Sequence, residues 1–254
     1  MVLGRRKKVH SWNDKVTNEF FLWKKLVVEE RRAGIEEPVR QEESFLWSSM
    51  IFSPFLESLS RFDRPTILDL GPITSRNINF YGELGWKVHV YDILGEYREA
   101  VEAAKANPPQ ETGEDEEESP PDPIENILKQ LNYPPGSLQG VLCWDILDRF
   151  SPVWTQALIR RISSALDEGG VVLSIFGCNG GTADDAHRGF RIRDENHLEP
   201  LPDTGSKLER YIYENGEIMS LFGDYKVLNF YLRKNQFREI LVQKECRARL
   251  RFSA

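Results

Sequence analysis

The chemistry-bearing residues of this chain gather at the ends of short apolar runs. Thr66-Ile67-Leu68 closes on Asp69, and Gly71-Pro72-Ile73-Thr74-Ser75 follows at once. Further on, Lys87-Val88-His89-Val90-Tyr91 closes on Asp92, and Gly140 to Trp144 closes on Asp145. An acid at the end of a second parallel strand is placed to accept two hydrogen bonds from a ribose. A glycine followed by hydroxyl residues leaves unpaired backbone N–H groups at a helix start, where polar ligands are held. The turn lacks the second and third glycines of G-x-G-x-x-G, and Pro72 removes one donor, so it makes a poor phosphate cradle. The expected ligand is therefore a nucleoside-containing cofactor without a pyrophosphate, and a nicotinamide dinucleotide is disfavoured.

Positioning these residues requires a strand, a tight turn and a helix, repeated. Thr66–Asp69 reads as the first strand, Ser75–Leu84 as a helix capped by Thr74 or Ser75, and Lys87–Tyr91 as the second strand. Helices are expected over Gly95–Ala106, Pro123–Leu131 and Ser151–Leu166, with strands at Leu138–Asp145 and, after a Gly169-Gly170 turn, at Val171–Ser174. Lys226–Leu232 and Phe237–Val242, joined by a polar turn, read as a closing hairpin.

In this order of parts, from about Arg64 to Lys244, the chain resembles the class I S-adenosylmethionine-dependent methyltransferases. The resemblance implies an α/β fold: a Rossmann-like, mostly parallel sheet with helices on both faces and a C-terminal antiparallel hairpin strand, here with an N-terminal helical extension. It implies S-adenosylmethionine as cofactor, with Asp69, Gly71 and Thr74 at its amino-acid end, Asp92 at the ribose and Asp145 near the methyl-transfer edge. Methyl transfer is an in-line displacement that depends mainly on alignment, so no acid/base pair is required and no catalytic residue is assigned.

Composition narrows the class. With 40% hydrophobic and 29% charged residues the chain reads as a soluble globular protein, expected in the cytoplasm. No apolar run reaches the roughly 18 residues of a membrane span. The three cysteines, Cys143, Cys178 and Cys246, are widely spaced, and no His/Asp/Glu cluster has ligand spacing, so neither disulfides nor a metal is expected. The net charge of −7 is carried by the run Glu111 to Asp122, and no general basic surface points to nucleic acid.

The expected organisation is an N-terminal helical extension over residues 1–63 and a methyltransferase-like domain over residues 64–254. The extension holds an amphipathic stretch, Asp14–Arg32, and a second apolar stretch, Phe45–Leu59; it is read as a lid or side wall of the domain and as a surface for a protein partner. Residues 107–122, rich in Pro, Glu and Asp, stand where the family has a third strand, and none is legible. Cys178 to Ser206 shows little pattern; its His187, Arg188, Arg191 and His197 are candidates to position an acceptor. Two functions follow: methyl transfer to an unidentified small-molecule or protein acceptor, or a degenerate methyltransferase fold serving as a binding or scaffold protein.

Overall fold

The computed structural model describes residues 46–106, 123–178, 187–202, 210–234 and 236–245. Its Cα positions cluster into two units, Met1–Ser44 and Phe45–Ala254, and all the described residues belong to the second. The amphipathic stretch Asp14–Arg32 and the acidic run 107–122 lie outside the described residues.

In chain order the elements are β1 (Trp47–Ser48), α1 (Phe52–Leu59), β2 (Thr66–Asp69), α2 (Ser75–Glu83), β3 (Lys87–Val90), α3 (Ile93–Ala106) and α4 (Pro123–Gln130). There follow β4 (Leu138–Trp144), a 3₁₀ turn at Leu147–Arg149, α5 (Pro152–Ala165), β5 (Leu166–Gly177), β6 (His187–Ile192), β7 (His197–Pro202), α6 (Asn215–Leu221), β8 (Tyr225–Leu232) and β9 (Phe237–Lys244). The main sheet runs β3-β2-β4-β5-β9-β8. Its first four strands are parallel and β9 is antiparallel to both neighbours. This is the class I methyltransferase-like arrangement, with the reversed strand delivered by the closing hairpin; among the described residues no strand pairs with the outer edge of β3.

Burial explains the strand patterns. In the central β5, Val171, Val172, Leu173, Ile175 and Phe176 are all fully buried, so apolar residues fill both faces rather than alternating, interrupted by the buried Ser174 alone. The half-exposed edge strand β3 holds a mixture of polar and apolar residues. Helix α2 starts where the extended Thr74 accepts the Asn77 amide at 3.1 Å, as the hydroxyl-rich turn led one to expect.

The second apolar stretch enters the same core. Phe52, Phe55 and Leu59 of α1 are fully buried, as is Trp47 of β1. A buried carboxylate fastens this stretch: Glu239 of β9 accepts Trp47 Nε1 at 2.5 Å and the Met50 amide at 2.7 Å, with Arg233 at 3.2 Å. Each donor would be costly to bury without an acceptor.

One local expectation is corrected. Within Cys178–Ser206 the described residues include β6 and β7, an antiparallel hairpin whose β7 also pairs with β1. Gly189 and the two prolines of β7 hid the alternation of Phe190 and Ile192. Residues 210–214 carry no regular structure: Arg210 turns inward to Asp145 and Asp148, and the Tyr211 amide donates to the Asp148 carbonyl at 2.7 Å. Among the described residues no helix is long and apolar enough to cross a membrane.

Candidate functional site

The expected crevice lies at the C-terminal ends of β2, β3 and β4, where parallel strands turn into helices. Asp69 ends β2 and is 1% exposed. Its Oδ1 accepts the Gly71 amide at 2.9 Å and the Trp144 indole Nε1 at 2.6 Å. Burial pushes its carboxyl up to about 6, although both bonds work in the opposite direction. Beside it the buried Tyr81 phenol is held protonated, by burial first and by the charge of Asp69 second.

Trp144 closes β4 in a left-handed backbone conformation, φ 43°. That turn aims a fully buried indole back over the β2 turn. A Cβ added to Gly71 would stand 2.8 Å from Trp144 Cδ1 and 3.0 Å from its Nε1. The indole then continues into a run of rings: Phe52 at 6.2 Å on one side, Phe190 of β6 at 5.5 Å on the other, and Trp47 5.3 Å beyond Phe190.

The β6–β7 hairpin covers the same turn from outside. A Cβ on Gly189 would meet Pro72 Cδ at 2.6 Å, so the strand lies directly on the proline ring. Asn77 of α2, 2% exposed, accepts the Ile192 amide at 2.8 Å and donates to the Phe190 carbonyl at 2.9 Å. Arg76 adds a bond from Nε to the Ile192 carbonyl at 2.7 Å.

The other expected residues are placed as follows. Thr74 caps α2. Asp92 follows β3, half-buried, and its Oδ1 accepts the Gly95 amide at 3.1 Å at the start of α3. Asp145, fully buried, does not face the β2 turn with the others; it belongs to an ionic cluster. It receives Arg210 through two bonds, at 2.6 and 2.8 Å, and Arg149 at 3.2 Å, with His187 Nδ1 at 3.8 Å. Asp148, equally buried, binds the same Arg210 and the Gly177 amide. Burial raises both acids, but Arg210 reverses the effect at Asp145 and holds it low; Asp148 stays high, beside the charge of Asp145.

Of the candidate acceptor residues, His187 packs among Trp47, Phe190 and Phe237. His197 is bound to Asp194 in the hairpin turn, and Arg191 to Glu199 across the hairpin. Sequence reading missed Asn77, Arg210 and the seat of Phe190. Trp144 was legible as a strand-end residue near the crevice, but not its direction. A cleft of about 660 Å³ lies elsewhere, lined by Ser163, Glu168, Asp224 and Tyr225 among others and by none of the five expected residues. Among the described residues no group of three or more His, Cys, Asp or Glu side chains is arranged to hold a metal.

S-adenosylmethionine, which the sequence resemblance implies, does not fit this arrangement. The face of Gly71 is taken by the indole, Oδ1 of Asp69 by the indole N–H and the Gly71 amide, and Pro72 by the hairpin.

No protein-family model matches the chain, and no curated protein matches it. Among solved structures it is similar to a SAM-dependent methyltransferase from Methanosarcina mazei, with 17% identity over 74% of this chain and 96% of that one and a TM-score of 0.43. It is similar to the 1,6-didemethyltoxoflavin-N1-methyltransferase of Burkholderia thailandensis, solved with S-adenosylhomocysteine, at 12% identity, 95% and 94% coverage and a TM-score of 0.43. The magnesium protoporphyrin IX methyltransferase of Synechocystis, solved with SAM, gives 14% identity, 77% and 76% coverage and 0.41.

Proposed function

We propose that this chain keeps the class I methyltransferase fold but serves as a binding or scaffold protein rather than as a methyl-transfer enzyme. The observation that carries this reading is the Trp144 indole, which lies on Gly71 and donates to Asp69. The side chains expected to hold a cofactor are spent on the chain itself: Asp69 on Trp144, Thr74 and Asp92 on helix starts, Asp145 on two arginines.

The second reading is S-adenosylmethionine-dependent methyl transfer to an unidentified acceptor. It is favoured by the retention of an acid at the end of both β2 and β3, and it requires both the Trp144 indole and the hairpin packed on it to move. Lifting β6–β7 exposes Phe190, Ile192 and Leu198, each now at most 1% exposed. At about 1.5 to 3 kcal/mol per side chain that costs roughly 5 to 9 kcal/mol, a loss in apparent affinity of roughly several-thousand- to several-million-fold. The energetics therefore favour the first reading.

Calorimetric titration with S-adenosylmethionine and S-adenosylhomocysteine tests it. The expected result is no heat and no thermal shift at millimolar ligand; micromolar binding of both would restore the enzyme reading. The surfaces proposed for a protein partner are the apolar stretch 14–32 and the acidic run 111–122. Reversing the acidic charges is expected to abolish capture of a basic partner and to leave the melting temperature of the domain unchanged.

A further inference from the structure

We infer, resting on the binding-module reading, that the crevice is closed by a latch: the Trp144 and Phe190 rings are its bolt and Asn77 its keeper. The shortage of glycines in the 71–75 turn is then not what keeps an adenosine-type ligand out.

The turn itself has a bare backbone face where it matters. At Gly71 any side chain would collide with the Trp144 ring, so the missing Cβ serves the indole as it would serve a ligand lying on the same backbone. The acid beneath also behaves as an acid prepared for a donor. Asp69 takes its second bond from an indole N–H that arrives from β4, 75 positions along the chain, rather than from its own turn. What the indole occupies is thus a place with a bare backbone face and a buried acceptor, and the occupant is tethered.

The keeper is separable from the Trp144 part of the bolt, though not from Phe190, whose carbonyl it holds. β6 has β7 hydrogen-bonded along one edge, and Asn77 supplies the other edge with one donor and one acceptor, as a neighbouring strand would. A helix side chain therefore takes the place of a strand at the one side where the hairpin meets α2. Trp144 belongs to β4 and has no part in that pairing. Loosening the hairpin and removing the indole are consequently two independent changes, and only the second clears the face of Gly71.

The test uses the full chain in four forms: unchanged, Asn77→Ala, Trp144→Ala and the double variant. Hydrogen exchange is followed at Ile192, whose amide is bonded to Asn77, and at the β4 and β5 amides as a measure of global folding. S-adenosylhomocysteine is titrated into each form. Asn77→Ala is expected to speed exchange at Ile192 at least about tenfold with β4 and β5 unchanged. The double variant is expected to bind S-adenosylhomocysteine with Kd below about 1 mM while the unchanged chain gives no heat. Unchanged exchange at Ile192 would overturn the role of Asn77. A double variant that keeps β4 and β5 protected and still gives no heat would overturn the latch and return the blame to the glycine-poor turn, leaving the binding-module reading intact. Binding by the unchanged chain would overturn both. If Trp144→Ala costs the sheet its protection, Trp144→Leu combined with Asn77→Ala, which keeps an apolar side chain in the core but removes the ring from Gly71 and the N–H from Asp69, carries the same comparison, with the same outcomes.

Discussion

At the scale of single residues, Asp69 decides how the crevice is read. A carboxyl raised to about 6 from an ordinary 3.8 binds its proton more tightly in the folded chain than in the unfolded one. Its contribution to stability is therefore present in full below the unfolded value and is lost as the pH rises through the folded one. Over that window the loss amounts to about 2 to 3 kcal/mol. Asp69→Asn removes the titration while keeping the shape. The melting temperature of the unchanged chain is expected to fall more steeply between about pH 4 and pH 6.5 than that of the variant. Equal slopes would show that Asp69 does not titrate in this range. The Asp145–Arg210–Asp148 cluster titrates alike in both proteins and drops out of the comparison.

At the scale of elements, the hairpin β6–β7 closes the site, and two glycines test how tightly. Gly189 lies against Pro72, where an added Cβ would approach to 2.6 Å, and the proline ring cannot yield. Gly189→Ala is expected to destabilise the chain by about 1 to 3 kcal/mol, as overpacking does. Gly216 sits in α6 with nothing within 4 Å of the same added atom. Gly216→Ala is expected to be neutral or to stabilise by up to about 1 kcal/mol, because alanine loses less freedom in a helix. Chemical denaturation of the pair checks both; equal effects would mean that the hairpin does not press on the turn. The hairpin escaped the sequence reading because its signals are weak: two prolines, a glycine and alternating charges interrupt a pattern of only three fully buried apolar residues, Phe190, Ile192 and Leu198.

At the scale of the whole molecule, the question is where the domain begins. Trp47, Phe52, Phe55 and Leu59 are fully buried and precede residue 64, the expected boundary. Burial of four such side chains contributes roughly 6 to 12 kcal/mol, which is comparable with the whole stability of an ordinary domain. A chain beginning at Leu46 is expected to melt cooperatively and one beginning at Arg64 to be unfolded or insoluble, as circular dichroism would show; a folded chain from Arg64 would uphold the boundary at 63. The sequence by itself determined the order of the main-sheet strands and their helices from Thr66 to Lys244, the β6–β7 hairpin excepted, together with the reversed closing strand, the cap at Thr74 and the acids at the ends of β2 and β3. Those features are local: apolar runs of strand length, helix periodicity, and punctuation by glycine, hydroxyl and acid residues. Only the tertiary structure decided what fills the crevice. The direction of the Trp144 indole, the pairing of Asn77 with β6 and the capture of Asp145 by Arg210 join residues 65 to 115 positions apart. Such contacts follow from packing and from the need of buried polar groups for partners, and no spacing in the chain records them.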